Sequence, residues 1–520
     1  MRSGQLSTTL SRRSLMAGMA GTGAILALGT RAARAQEPKR GGHVRYGVRG
    51  GSTSDTLDPS TFGNTFMRTL GYGLYNTLVE IDANGAFHPE LLESYEGSDG
   101  AKTWVFTLRQ GISFHDGKPL TADDVIASIR HHLGEVSKSG MKALLTSIAN
   151  ITREDDHTIR FELDAGNADF PVIFTDYRMM ILPEKDGSID MSGNGTGGYV
   201  LKQFEPGVRA AVERNPNYWR SDRAFFDSAE IISMSDPTSR QNALMTGGVD
   251  IIDQVDLKTV QLLKRQKGVA IMNTSGGLHY VYAMNTTLDP FDTVHVRQAL
   301  KYGVDREALL KKVLRGYGSI GNDHPIPRGM QFYASDLEQT AYDPDKAKFH
   351  LKEAGLDGLD LALHVSDGLY PGAVDGVTIY KENLSAAGVN LDVAREPADG
   401  YFSNVWLKKP FVASYWGARP TADIMFSSAY ASSAKWNETH WKNEAFDKLL
   451  EAARVELDES KRAEMYHDMQ AMVRDEGGAV IPLFADNVFA ANEKVGHPDV
   501  MSGAWELDGG RSIERWWLAE

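Results

Sequence analysis

The chain has 520 residues, of which 42% are apolar and 24% charged, so it can bury a large core and is not disordered by composition. Its length suggests about two to four structural units. Lysine and arginine total 55 against 69 acids, a net charge of −14, which argues against nucleic acid or an anionic membrane as partner. There is no cysteine, which excludes disulfides, thiolate nucleophiles, iron–sulfur clusters, cysteine-ligated zinc and an acylated lipoprotein cysteine.

In chain order, residues 1–35 read as an export leader. The apolar stretch from Leu15 to Leu28 is too short to span a membrane, the pair Arg12-Arg13 precedes it, and Ala33-Arg34-Ala35 offers a small-x-small cleavage site. The arginine pair inside Ser-Arg-Arg-Ser-Leu-Met points to the twin-arginine route. Trp104 to Leu108 alternates as a strand. Phe114-His115-Asp116-Gly117 reads as a tight turn, and Thr121 with Asp124 forms a capping box for a helix carrying Val125, Ile126, Ile129 and Leu133 on one face. Further strands are expected at Thr158 to Leu163, Tyr199 to Phe204 and Val208 to Glu213. Helices are expected from Asp305 to Leu314, closing at Gly316, and from the cap Asp343 with Pro344 at its first position, closing at Gly355. Met465, Met469, Met472 and Val473 recur at helical spacing, the pattern of a core face. The class is mixed α/β.

Catalytic and cofactor motifs are missing from this pattern. Gly193 to Gly198 satisfies G-x-G-x-x-G, but a strand follows it where dinucleotide binding needs a helix N-terminus. No nucleophile elbow, Walker loop, H-E-x-x-H helix or EF-hand loop occurs. His131 and His132 are neighbours on a helix, about 100° apart, and cannot easily share an ion, so a solvated or capping role is expected. Neither a cofactor nor a metal is expected.

Several longer strings resemble one family. His88 to Val125, with HPELLESYEGSDG and WVFTLRQGISFHDGKPLTADDV, is similar to the hallmark segment of family 5 extracellular solute-binding proteins, the peptide and nickel binders of ABC importers. Gly195 to Trp219 resembles the family's G-T-G-P-Y block, with Gly198 where proline is usual. Ala243 to Ile251, Pro290 to Arg306 and Tyr342 to Gly355 follow in the family's order.

This resemblance implies a periplasmic binding protein-like α/β fold, two lobes around a ligand cleft with an extra domain in the first. Domain I is then expected at 40–86, 192–277 and 486–520, domain II at 87–191 and domain III at 278–485. It also implies a non-enzymatic, monomeric periplasmic protein that captures a small peptide or peptide-like ligand by hinge closure and delivers it to an ABC permease and ATPase complex at the inner membrane. In peptide-binding relatives a tryptophan-containing strand precedes an aspartate that neutralises the ligand's ammonium group; here Ser414 to Asp423 corresponds, and Arg419 stands where that aspartate is common. Either Asp423 takes over that role, or Arg419 favours a carboxylate through forked pairing. Tyr415 and Trp416 alternate, so one faces away from the other. Phe62, Asn64 and Thr65 are candidates in the first domain, and Trp436 and Asn437 in the last. The alternatives are the same fold binding a metal complex or an acidic non-peptide solute, and, more remotely, a periplasmic hydrolase.

Overall fold

Two long strands, Val269–Met284 and Ala479–Asn492, run antiparallel through the middle of the molecule and join its two halves. The computed structural model describes residues 38–519; the expected export leader lies outside the described residues. These strands belong to a sheet of eleven that extends into both halves.

In the first lobe, His43–Val48 pairs in parallel with Ser228–Ser233 on one side and with Ile251–Ile252 on the other. Arg209–Arg214 and Tyr199–Glu205 extend this sheet antiparallel to its edge. The core beneath it is aromatic, with Tyr46, Phe66, Tyr199 and Trp516 all fully buried. The tail reaches this core through Ile513 and Trp516. Gly195 and Gly197 lie against the backbone carbonyls of Leu74 and Gly73, where any β-carbon would collide, so the glycine-rich string is a packing device followed by a strand, as expected.

A small domain leaves the first lobe and returns to it at nearly one point: the backbone N–H of Ile181 donates to the carbonyl of Asn76 at 3.1 Å. Its antiparallel sheet runs Leu92–Ser98, Thr103–Leu108, Thr158–Leu163, Ile148–Arg153. Phe106, Phe161, Phe170 and Phe174 pack face and edge, 4.9 to 6.0 Å between ring centres. The helix Ala122–Leu133 starts where its capping box places it, Asp124 accepting from the backbone N–H and the hydroxyl of Thr121 at 2.8 and 3.0 Å. His131 departs from expectation: its Nε2 lies 2.9 Å from Asp58 and ties this helix to the first lobe. Burial of Asp58 raises its pKa, but the bonds from His131 and Ser60 outweigh this and hold it below the usual carboxylate range.

The second lobe has a parallel pair, Leu359–Val365 with Val389–Arg395, continued by Phe411–Trp416, which also pairs antiparallel with the first crossing strand. The helix Pro344–Glu353 is capped by Asp343, and Gly355 takes a left-handed φ of 77° just after it. Met469 and Val473 are fully buried, while Met465 and Met472 pack at the margin of the same core.

The register of the crossing strands breaks between Thr274 and Leu278. Here Gly276 lies so close to Ala485 that a β-carbon would stand 2.4 Å from the Ala485 carbonyl oxygen. This break lies where the crossing strands run from one half of the sheet to the other, the position of a hinge in a two-lobed fold.

Candidate functional site

Open parallel sheets bind ligands beyond the carboxyl ends of their strands, and both lobes bring such ends toward the hinge. In the first lobe, Arg49 follows His43–Val48 and Asp253 follows Ile251–Ile252; their side chains lie 3.4 Å apart. Glu506 of the tail joins Arg49 and also accepts from Arg68 at 2.7 Å. Three residues before it, Gly503 packs against the Ser275 carbonyl at the hinge. In the second lobe, Gly417–Pro420 follows Phe411–Trp416, and Ala418 packs against Gly277.

Arg419 projects from that second-lobe loop. Its guanidinium lies over the Trp416 ring, 5.4 Å from the centroid, and donates only to the Gly417 and Ala418 carbonyls, each at 3.2 Å. No carboxylate pairs with it among the described residues. Half-burial alone lowers its pKa. A partly desolvated cation without an anion is an anion receptor by its chemistry.

Trp416 is held from behind. Its indole N–H donates to Glu438 at 2.8 Å, and the same carboxylate accepts from Ser414 at 2.6 Å and from the indole of Trp406 at 2.5 Å. Glu438 is buried with only neutral donors, and burial raises its pKa. Tyr415, one residue before Trp416, is 38% exposed on the other face. Trp436 is 52% exposed and leans on Trp416 with 6.2 Å between ring centres. Thus Trp416, Arg419 and Trp436 are brought together.

The remaining candidates are engaged in the fold. Asp423 receives Arg454 in a fork, Nε and Nη2 at 3.2 and 3.1 Å. Its pKa is nonetheless raised, burial outweighing Arg454. Asn437 is buried and bonds to the backbone of Ala431 and Trp441 and to the Thr439 hydroxyl. Phe62 is a core residue. Asn64 caps the helix Thr65–Leu74, accepting from Met67 at 2.9 Å, and Thr65 is buried and accepts from Arg68 at 3.3 Å.

Glu438 was not among the sequence candidates, and neither were two histidines at the hinge. His279 sits on the first crossing strand with Nδ1 3.1 Å from the Gly277 carbonyl, so Nδ1–H donates and Nε2 is left without a partner. His324 is buried, and neither ring nitrogen has a partner among the described residues. Burial pushes these two imidazoles down to about 4 and about 3, so both are neutral at physiological pH. Tyr280 and Tyr370 stack at 3.6 Å between the crossing strand and the end of Leu359–Val365. The run His279 to Met284 is not among the strands expected from the sequence, and nothing in it announces that it carries polar groups to the hinge.

Residues 86–438 match the bacterial extracellular solute-binding proteins, family 5 middle, and the chain belongs to that family. It is 27% identical to the dipeptide-binding protein of Escherichia coli K12 over 454 residues, covering 78% of this chain and 83% of that one. It is 26% identical to the glutathione-binding protein GsiB of Salmonella typhimurium over 461 residues, 85% of this chain and 89% of that one. Among solved structures, the binding protein AgaA of A. tumefaciens R10 in complex with agropinic acid superposes with a TM-score of 0.67 at 25% identity, covering 92% of this chain and 99% of the other. The fold is that of a periplasmic binding protein.

Proposed function

We propose that this protein is the solute-capturing component of an ABC importer, taking a peptide or peptide-like solute at the hinge and delivering it to a permease and ATPase complex at the inner membrane. The reading divides the chain as domain I at 40–86, 192–277 and 486–520, domain II at 87–191 and domain III at 278–485. It works as a monomer in the periplasm, exported by the twin-arginine route through Arg12 and Arg13, without a lipid anchor.

The observation that carries it is Arg419, an arginine without a carboxylate beside the hinge, lying on the indole of Trp416. A ligand carboxylate would complete its fork, Trp416 and Trp436 would flank the apolar part, and lobe closure would remove both from water. The same guanidinium favours a second reading, an acidic non-peptide solute, because Asp423 is already engaged by Arg454 and offers no free carboxylate for a ligand ammonium. Relatives that bind dipeptide, glutathione and agropinic acid span both readings.

Mass spectrometry of what copurifies with the protein, followed by calorimetry with the identified solute, tests this. A peptide or an acidic solute bound one to one, with affinity lost on blocking its acid group, supports the reading. A cleaved product or a metal complex refutes it.

A further inference from the structure

A groove of about 400 Å³ lies where the small domain meets the second lobe. Its walls come from two parts of the chain far apart in sequence. The small domain supplies Phe87, Tyr95 and Trp104, the last two with ring centres 6.3 Å apart. The second lobe supplies Leu457, which packs against Gly97, and the start of the helix Glu459–Glu476. The seam is closed beside the groove by the Ala168 N–H, which donates to the Arg454 carbonyl at 2.7 Å.

The charges around the groove do not balance. Three carboxylates line it, Glu96, Asp169 and Glu459, against one cation, Arg462. Arg462 is taken up by Asp169 Oδ1 and covered by the rings of Phe332 and Tyr466, 5.1 and 5.6 Å from its guanidinium carbon. Glu96 and Glu459 have no cationic partner among the described residues. Asp169 is 5% exposed, and its Oδ2 is buried with no hydrogen-bond partner among the described residues. A buried carboxylate oxygen left unpaired is costly, and a ligand N–H would satisfy it.

We propose that this groove is a second ligand site, distinct from the hinge, for a small amphipathic organic cation. A small side-chain shift would open the buried Asp169 Oδ2 to an ammonium group seated between Glu96 and Glu459, while its apolar body rests on Tyr95, Trp104 and Phe87. Aromatic faces attract cations, so the same walls serve both ends of the ligand. A neutral ligand forfeits the two unpaired carboxylates, and an anion is repelled by them. Because one wall belongs to each part, a ligand gripping both stabilises the arrangement in which they touch.

Phenethylamine, 2-phenylethanol and 3-phenylpropionate share one apolar body and differ in charge, so calorimetry with the three on the mature protein is the test. The amine is expected to bind and the other two to bind more weakly by about tenfold or more. The double variant Glu96→Gln/Glu459→Gln, both positions exposed and harmless to the core, is expected to weaken amine binding by a similar factor. Arg419→Ala is expected to leave it unchanged, which separates this site from the hinge. Three probes binding alike, no binding by the amine, indifference to the double variant, or loss on Arg419→Ala would each overturn the proposal.

Discussion

At the scale of single residues, desolvation without pairing separates groups that wait for a ligand from groups the fold has already satisfied. Under the proposed function Arg419 belongs to the first kind; Asp423 belongs to the second, since Arg454 fills its fork. With the copurified solute, Arg419→Ala is expected to cost about 2 to 5 kcal/mol of binding, a loss of roughly 30-fold to several-thousand-fold in affinity. Asp423→Asn is expected to spare affinity and lower the melting temperature instead, by giving Arg454 one acceptor oxygen where the carboxylate gave two, a cost of about 1 to 3 kcal/mol. Calorimetry and thermal unfolding on both variants read the two outcomes separately. Glu438 makes a different prediction. Its folded pKa lies above the unfolded value because of burial, so the native state holds a proton that the unfolded state gives up first. Stability from this group is therefore full below the unfolded pKa and is lost as pH rises through the folded one. Glu438→Gln removes the charge and keeps an acceptor for one of the two indoles, since Trp406 and Trp416 donate to different oxygens; that lost bond does not vary with pH, so the variant's melting temperature relative to the native protein should still rise from pH 4 to pH 7. An unchanging difference across that range sinks the idea. Arg419 and Trp416 stand out in the sequence as candidates because a short motif carries them. Glu438 does not, because its neighbours Trp406 and Ser414 are 32 and 24 residues away and meet it only in the fold.

At the scale of elements, local chemistry reads cleanly and long-range pairing does not. Asp343 and Thr121 start their helices where the sequence puts them, because caps act within one turn. The strand Thr158–Leu163 begins and ends on the expected residues. The long crossing strands were not legible as hinge elements. Their register break depends on Gly276 facing Ala485, more than two hundred residues later, and neither residue announces the other. That close approach gives a test. Gly276→Ala places a methyl against a backbone oxygen that cannot move without shifting the second crossing strand, and is expected to cost about 1 to 3 kcal/mol of stability. Gly329→Ala, where no atom lies within 4 Å of the new methyl, serves as the near-neutral comparison. Equal melting temperatures for the two variants would remove the hinge packing argument.

At the scale of the whole molecule, ordered blocks over nearly the full length made the family and its two-lobed fold legible. The seam between the small domain and the second lobe was hidden, since Asp169 and Arg462 are unremarkable apart and meaningful only as a buried pair. Closure is the property that belongs to this scale. Solute at about 100 times its dissociation constant should stabilise the protein by roughly 2.7 kcal/mol if only the native state binds. Small-angle scattering should show a smaller radius of gyration under the same conditions; stabilisation without compaction would place the solute on the surface. The small domain adds one more consequence. Its two ends meet at the hydrogen bond between Asn76 and Ile181, but Glu80 and Glu90 within it pair with the buried Arg515 and Arg511 of the tail, so a foreign domain with close-set termini is best inserted in its exposed turn at 154–156, which leaves those pairs intact. A fluorescent protein grafted there, with a second on the other lobe, would turn occupancy into a colour ratio and make this chain the starting material for a genetically encoded sensor of its own solute.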